Sequence, residues 1–148
     1  MKIAIASDHA GFAAKEHLKR WLAERGHEVD DLGTNGSASV DYPDFASRVG
    51  RVVVDGVAPL GLLLCGTGIG MSIAANRHPG VRAVVCSEPL SARMARQHND
   101  ANVLCLGARV SGLGAMEDTL ESFLGHDFEG GRHAARVEKI QRLDRRAP

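Results

Sequence analysis

Segments of strand type alternate with segments of helical periodicity along almost the whole chain, and no other feature restricts its fold so tightly. Residues 2–6, 28–32, 60–65, 81–86 and 103–106 read as strands, whereas 12–25, 43–54, 71–77, 90–99 and 113–124 carry apolar residues at helical spacing. Gly26 stands where the first helix should stop, and Pro43 lies near where the second should start. Strands separated by helices need crossover connections, which are right-handed and give a mainly parallel sheet covered on both faces. The expected fold is therefore α/β, a three-layer αβα sandwich around a doubly wound, Rossmann-like sheet of five strands, followed by a C-terminal helix over 132–145. That last helix has few residues for a wide apolar stripe, so it is a candidate to pack across a neighbouring subunit.

The 148 residues match one domain of ordinary size, and a chain of this length buries roughly 70% of its unfolded surface on folding. We see no linker, low-complexity tract or solenoid repeat, and expect 1–148 to form a single domain. Eighteen basic residues balance eighteen acidic ones, so no overall field favours nucleic acid or an anionic membrane. Residues 1–7 are too short an apolar run for a signal peptide, and nothing approaches the ~20 apolar residues of a membrane span, so a cytoplasmic location is expected. The three cysteines, Cys65, Cys86 and Cys105, are odd in number and each ends or interrupts an apolar run, a pattern unlike a disulfide framework. Cys86 and Cys105 read as small buried hydrophobes.

Polar and glycine-rich clusters fall after each strand, at 7–11, 33–42, 65–70, 87–89 and 107–109, where open parallel sheets bind ligands. The most specific is Cys65-Gly66-Thr67-Gly68-Ile69-Gly70, which ends the run Leu62-Leu63-Leu64 and opens a helix. Its glycines let the backbone turn tightly and aim several N–H groups at one spot, a cradle for an oxyanion. Beside it, Cys65 reads as a thiolate base or nucleophile, against the plainer reading of a core cysteine. Thr67 is a hydroxyl donor in that cradle or an ordinary loop residue. Three other chemistries fail on the letters. A cysteine phosphatase loop needs Arg where Met71 stands, a dinucleotide fingerprint lacks its third glycine, and a Walker loop lacks its lysine.

Asp8-His9, directly after the first strand, suits an acid, base or ring-oxygen ligand, although Asp before a helix is also an ordinary N-cap. His98-Asn99 ends a polar helix, where a histidine commonly compensates the helix dipole. Arg132 and Arg136, four apart in the expected last helix and preceded by Gly130-Gly131, suit a phosphate, and His133 and Arg109 are possible companions. No His, Cys, Asp or Glu set has metal-ligand spacing, so no metal is expected.

Taken together, Ser7-Asp8-His9-Ala10-Gly11, Asp41-Tyr42-Pro43, the 65–70 loop, Ala74-Ala75-Asn76, Arg82-Ala83, Gln97-His98-Asn99-Asp100-Ala101-Asn102, Gly107-Ala108-Arg109 and Gly130-Gly131-Arg132-His133 resemble the type B ribose-5-phosphate isomerases over nearly the whole chain. The resemblance implies interconversion of D-ribose 5-phosphate and D-ribulose 5-phosphate with no metal or organic cofactor. It implies Cys65 as the base moving a proton between C2 and C1, His98 as the aid to ring opening, Asp8 at the ring oxygen or a neighbouring hydroxyl, and Thr67 moving a proton near O1 or O2. The amides of Gly66, Gly68, Ile69 and Gly70 would hold the enediolate oxygen, Tyr42 would lie against the sugar, and Asn99 would bind a hydroxyl. His9, Arg109, Arg132 and Arg136 would grip the phosphate. Members of the family are homodimers or dimers of dimers with sites between subunits, to which His98, Asn99 and Arg109 cross from the partner. One branch carries a catalytic glutamate at the position of Met71, so this chain resembles the cysteine branch. Related proteins act on six-carbon sugar phosphates such as allose 6-phosphate or galactose 6-phosphate, or on rare sugars, and a sugar-phosphate sensor without catalysis would use the same loops.

Overall fold

The computed structural model describes residues 1–143. Its strands β1 (Lys2–Ser7), β2 (Glu28–Asp31), β3 (Leu60–Cys65), β4 (Ala83–Val85) and β5 (Val103–Gly107) form one sheet in the order β2-β1-β3-β5-β4. Every neighbouring pair is parallel. Helices α1 (Phe12–Glu24), α2 (Tyr42–Val54), α3 (Ile69–Ala75), α4 (Pro89–Asn99) and α5 (Leu113–Leu124) connect and follow the strands, and a 3-10 turn at Gly131–His133 leads into α6 (Ala134–Leu143). The doubly wound α/β sandwich expected from the alternation is the fold observed.

Two cores flank the sheet, because successive strand residues face opposite ways. Ile3, Ile5, Leu62, Leu64, Leu104 and Leu106 meet Leu18, Leu22, Ala95, Leu120 and Phe123 from α1, α4 and α5. Ala4, Ala6, Leu63, Cys65, Val103 and Cys105 meet Phe45, Val49, Val53, Met71 and Ala75 from α2 and α3. Small residues on this second side of β1 let α2 approach closely. In α6 only Val137 is buried, as expected for a helix lacking an apolar stripe.

Three elements differ from the sequence reading by more than one residue at an end, each for a local reason. The strand expected over 81–86 keeps only Ala83–Val85. Asn76 bonds both the N–H and the C=O of Ala83, at 2.8 and 2.9 Å, and Asn102 accepts from Arg82 N–H at 2.8 Å, so side-chain amides as well as backbone groups hold its start. Helix α3 begins at Ile69, two residues early, because Gly68 turns the chain with φ of 80°. The expected 132–145 helix opens instead as a 3-10 turn after Gly130 and Gly131, with φ of 65° and 53°, so Arg132 precedes the α-helical turns that carry Arg136. Its last two residues, 144 and 145, lie outside the described residues.

β1 pairs with β2 on one side and β3 on the other, so the chain reverses its direction of travel across the sheet between β1 and β3. At such a switch point the helices diverge and leave a crevice at the carboxyl ends of the strands. Asp8 follows one of these strands and Cys65 ends the other.

Candidate active site

Cys65 is buried to within 5% of full cover, and its Sγ accepts the Gly68 N–H at 3.1 Å. That contact depends on the backbone of Gly68. A Cβ there would sit 3.2 Å from the carbonyl carbon of Leu106 and 3.3 Å from that of Cys105, so the loop wraps back over its own sulfur only with glycine. The first turn of α3 then presents the N–H groups of Gly70 and Met71, which have no carbonyl inside the helix to bond. Thr67 is exposed at the rim, its hydroxyl oxygen accepting from Ile69 N–H at 3.3 Å. The other two thiols are chemically quiet. Burial, with the Glu88 carboxylate adding to it, pushes Cys86 up to about 11, and burial beside Cys65 and Cys86 pushes Cys105 well above the ordinary thiol range.

Asp8 is buried beside this loop, and its N–H donates to Leu64 C=O at 3.1 Å across the switch point. Its Oδ1 accepts from Gly11 N–H at 3.0 Å, which braces the turn before α1, whose cap position is taken by Gly11 itself. His9 accepts from Val40 N–H through Nδ1 at 3.3 Å, which makes Nε2 the protonated nitrogen of the neutral ring and ties the 33–42 segment to β1. Tyr42 lies on Gly70, its ring carbons 2.8 Å from where a Cβ would stand, and remains 40% exposed. Met71, where one branch of the resembling family has glutamate, is fully buried in the core behind the loop.

Arg109 also belongs to this edge. Its Cδ and Nη1 lie 3.4 Å from a Cβ position on Gly66, and its N–H donates to Gly66 C=O at 2.9 Å. Within the chain Arg109 hangs over the loop that carries Cys65, whereas the resemblance has it crossing from a partner.

The remaining candidates stand elsewhere. α4 leaves the carboxyl end of β4 and descends to the amino end of β5, so His98 and Asn99 lie at the opposite edge of the sheet from Cys65. Arg82, which precedes β4, confirms the position by donating from Nε to Asn99 C=O at 3.1 Å. The 128–133 segment folds onto this same end, with Glu129 N–H donating to Gln97 C=O at 3.0 Å. The imidazoles of His98 and His133 stack with centroids 4.1 Å apart and planes 8° off parallel. Arg132 Nε reaches His133 Nε2 at 3.4 Å, while the Arg132 and Arg136 side chains are exposed. Desolvation, the neighbouring His98 and the two arginines all lower the His133 pKa, so the buried ring is neutral at neutral pH. One chain therefore holds two half-sites, an acidic, thiol and amide half at the carboxyl edge and an imidazole and guanidinium half at the amino edge. A strand of this length puts roughly 17–20 Å between them.

Two arrangements escaped the sequence reading, neither of them a contact with the reacting atoms. Lys15 is fully buried and bonds Asp31 Oδ1 at 2.6 Å, and the same oxygen accepts from Gly33 N–H at 3.0 Å. Since Gly33 C=O accepts from Ser7 N–H at 2.7 Å, this chain of bonds braces the residue before Asp8. The signal was present, for Lys15 precedes Leu18 and Leu22 at the three- and seven-residue spacing of the buried face of α1. Glu129 and the stacking of His133 left no such trace.

The sequence matches the model of the family described as Ribose/Galactose Isomerase over residues 3–140. The chain belongs to that family. It is 51% identical over 145 residues to ribose-5-phosphate isomerase B of Escherichia coli, covering 98% of this chain and 97% of the other. The solved structure of Clostridium thermocellum ribose-5-phosphate isomerase B superposes with a TM-score of 0.97 at 50% identity over 98% of both chains. Ribose-5-phosphate isomerase B of Mycoplasma genitalium, solved with bound ribulose-5-phosphate, gives a TM-score of 0.94 at 41% identity over 99% of this chain and 97% of that one. The resemblance drawn from the motifs thus holds over the whole fold, and the chain is an enzyme of the aldose–ketose isomerase class.

Proposed function

We propose that this protein interconverts D-ribose 5-phosphate and D-ribulose 5-phosphate, in the cytoplasm, as one sugar-phosphate isomerase domain over 1–148. The observation that carries the proposal is a thiol, Cys65, at the carboxyl end of β3 under a loop of amides, where removal of a proton beside a carbonyl needs both a base and donors for the charge that develops. His98 moves a proton to the ring oxygen as the furanose opens, with Asp8 holding the ring oxygen or its neighbouring hydroxyl. Cys65 as thiolate takes the proton from C2. The charge left on oxygen in the enediolate is met by the loop amides, those of Gly66 and Gly70 directly and those of Gly68 and Ile69 as they share their bonds to Cys65 Sγ and Thr67 Oγ1. Cys65 then delivers the proton to C1 while Thr67 passes the hydroxyl proton between O2 and O1. Tyr42 covers the sugar, Asn99 takes a hydroxyl, and His9, Arg109, Arg132 and Arg136 hold the phosphate.

The two half-sites at opposite edges of one sheet support a homodimer, or a pair of such dimers, in which the His98 half of one chain completes the Cys65 half of the other. The assay that tests the reaction compares Cys65→Ala with the unaltered chain on ribose 5-phosphate. Turnover should fall by about 10³-fold or more while the fold is kept, and retained turnover would remove the thiol from the reaction. A six-carbon sugar phosphate is the second reading, and kcat/KM for five- against six-carbon phosphates separates the two. A sensor would bind either sugar without exchanging the C2 proton with solvent.

A further inference from the structure

At the amino edge of the sheet one nitrogen of His98, one nitrogen of His133 and one carboxylate oxygen of Glu129 lie within 4.8 Å of one another. We propose that these three side chains form a binding site for a zinc-class divalent cation, and that an ion held there withdraws His98 from ring opening and so inhibits the enzyme reversibly. The binding stands on the geometry alone, whereas the inhibition rests on the role given to His98 above.

Two imidazoles and a carboxylate are the donor set that borderline divalent ions prefer, and three protein ligands leave a fourth position for water. The cluster is assembled from three parts of the chain that the backbone locks together. His98 sits in the last turn of α4, Glu129 is tied to that turn by its N–H bond to Gln97 C=O at 3.0 Å, and His133 closes the 3-10 turn with its N–H on Gly130 C=O at 2.9 Å. His133 is buried, His98 half-buried and Glu129 exposed, so the donors are held from beneath and open to solvent on one side.

Bonds of about 2.0–2.1 Å to a tetrahedral ion bring donors to roughly 3.4 Å from one another, so the widest pair here must close by about 1.4 Å. The rings supply that movement. The rings stack with centroids 4.1 Å apart, and tilting one imidazole toward the other brings their nitrogens closer. The Arg132 Nε bond to His133 Nε2 must yield, and at 3.4 Å to an exposed guanidinium it is a weak contact. Arg132 and Arg136 oppose a cation, and the Glu129 carboxylate offsets one of these charges, which sets the affinity below that of a structural zinc site.

Calorimetric titration of the full-length protein with Zn²⁺ alone tests the site, and turnover with and without Zn²⁺ and then a chelator tests the consequence. The unaltered chain and Cys65→Ala should each take up one ion per chain, and Glu129→Gln and His133→Asn should bind about tenfold or more weakly. Glu129 is exposed, so Glu129→Gln keeps the fold and the basal turnover, and it should lose most of the inhibition. Uptake unchanged in both Glu129→Gln and His133→Asn, or abolished only in Cys65→Ala, would overturn the site. Saturated, Glu129-dependent binding with undiminished turnover would uphold the ion site and overturn the assignment of ring opening to His98.

Discussion

Gly68 carries more of the candidate chemistry than its missing side chain suggests. Its φ of 80° aims one N–H at the Cys65 sulfur, and a methyl group there would crowd the carbonyl carbons of Leu106 and Cys105 at 3.2 and 3.3 Å. Gly68→Ala should cost about 1–2 kcal/mol from the left-handed backbone alone, seen as a lower denaturation midpoint. It should also cost about a hundredfold in kcat by moving the amide off the sulfur. Unchanged turnover would mean that the Gly68 amide does not hold the sulfur. Cys65 stood out in the sequence as the candidate thiol because glycines follow it, and Cys86 and Cys105 as buried hydrophobes because they end or interrupt apolar runs. Asp8 was legible only as an open choice between a cap and a ligand. Gly11, not Asp8, stands at the cap of α1, and the Asp8 carboxylate instead braces the turn before the helix through Gly11 N–H.

At the scale of elements, the joint between α1 and β2 is electrostatic. Lys15 and Lys19 both bond the Asp31 carboxylate, and Glu16 bonds Lys19 at 2.9 Å. Burial by itself would raise the Asp31 pKa, but the bonds from Lys15, Lys19 and Gly33 N–H together outweigh it and hold the carboxyl below its usual value. A carboxyl depressed on folding contributes stability that is complete above its unfolded pKa of about 3.9 and is lost as pH falls through the folded value. Acid denaturation followed by circular dichroism should therefore show Asp31→Asn less stable than the unaltered chain at pH 6, with the gap narrowing below about pH 4. A constant gap across that range would mean that the carboxylate charge contributes nothing. Lys19, raised chiefly by its bond to Asp31, works in the opposite direction, its share being lost only as pH climbs through its elevated value. Element identities followed from periodicity, but three ends did not. Asn76 and Asn102 hold the start of β4 through tertiary hydrogen bonds, Gly68 moves the start of α3, and Gly130-Gly131 turns the opening of the last helix into a 3-10 turn.

The whole molecule sets the distance that decides the assembly. Because α4 must return across the sheet before β5 can begin, His98 and Asn99 are carried a full strand length away from Cys65. No side-chain motion closes roughly 17–20 Å, so a second chain is needed if both halves serve one substrate. Mixing Cys65→Ala with His98→Asn chains, each inactive, provides the test. Random reassociation into dimers should restore about a quarter of the sites, since each mixed dimer has one site free of both changes. Mixtures no more active than their components would show that each chain works with its own residues. Such recovery is independent of which sugar phosphate is the better substrate.

Periodicity along the chain was enough to fix the parallel α/β sandwich, since side chains recurring every two or every 3.6 residues can be buried in only a few arrangements. Local chemistry was enough to mark Cys65 and its glycine loop as candidates, because a thiol and backbone donors are neighbours in sequence there. Only the tertiary structure divided the candidate residues between two edges of the sheet, laid Arg109 over its own loop and brought Glu129 and His133 to His98. Those relations join residues tens of positions apart, and their separation in space depends on the direction in which each helix returns across the sheet, a quantity that spacing along the chain does not encode.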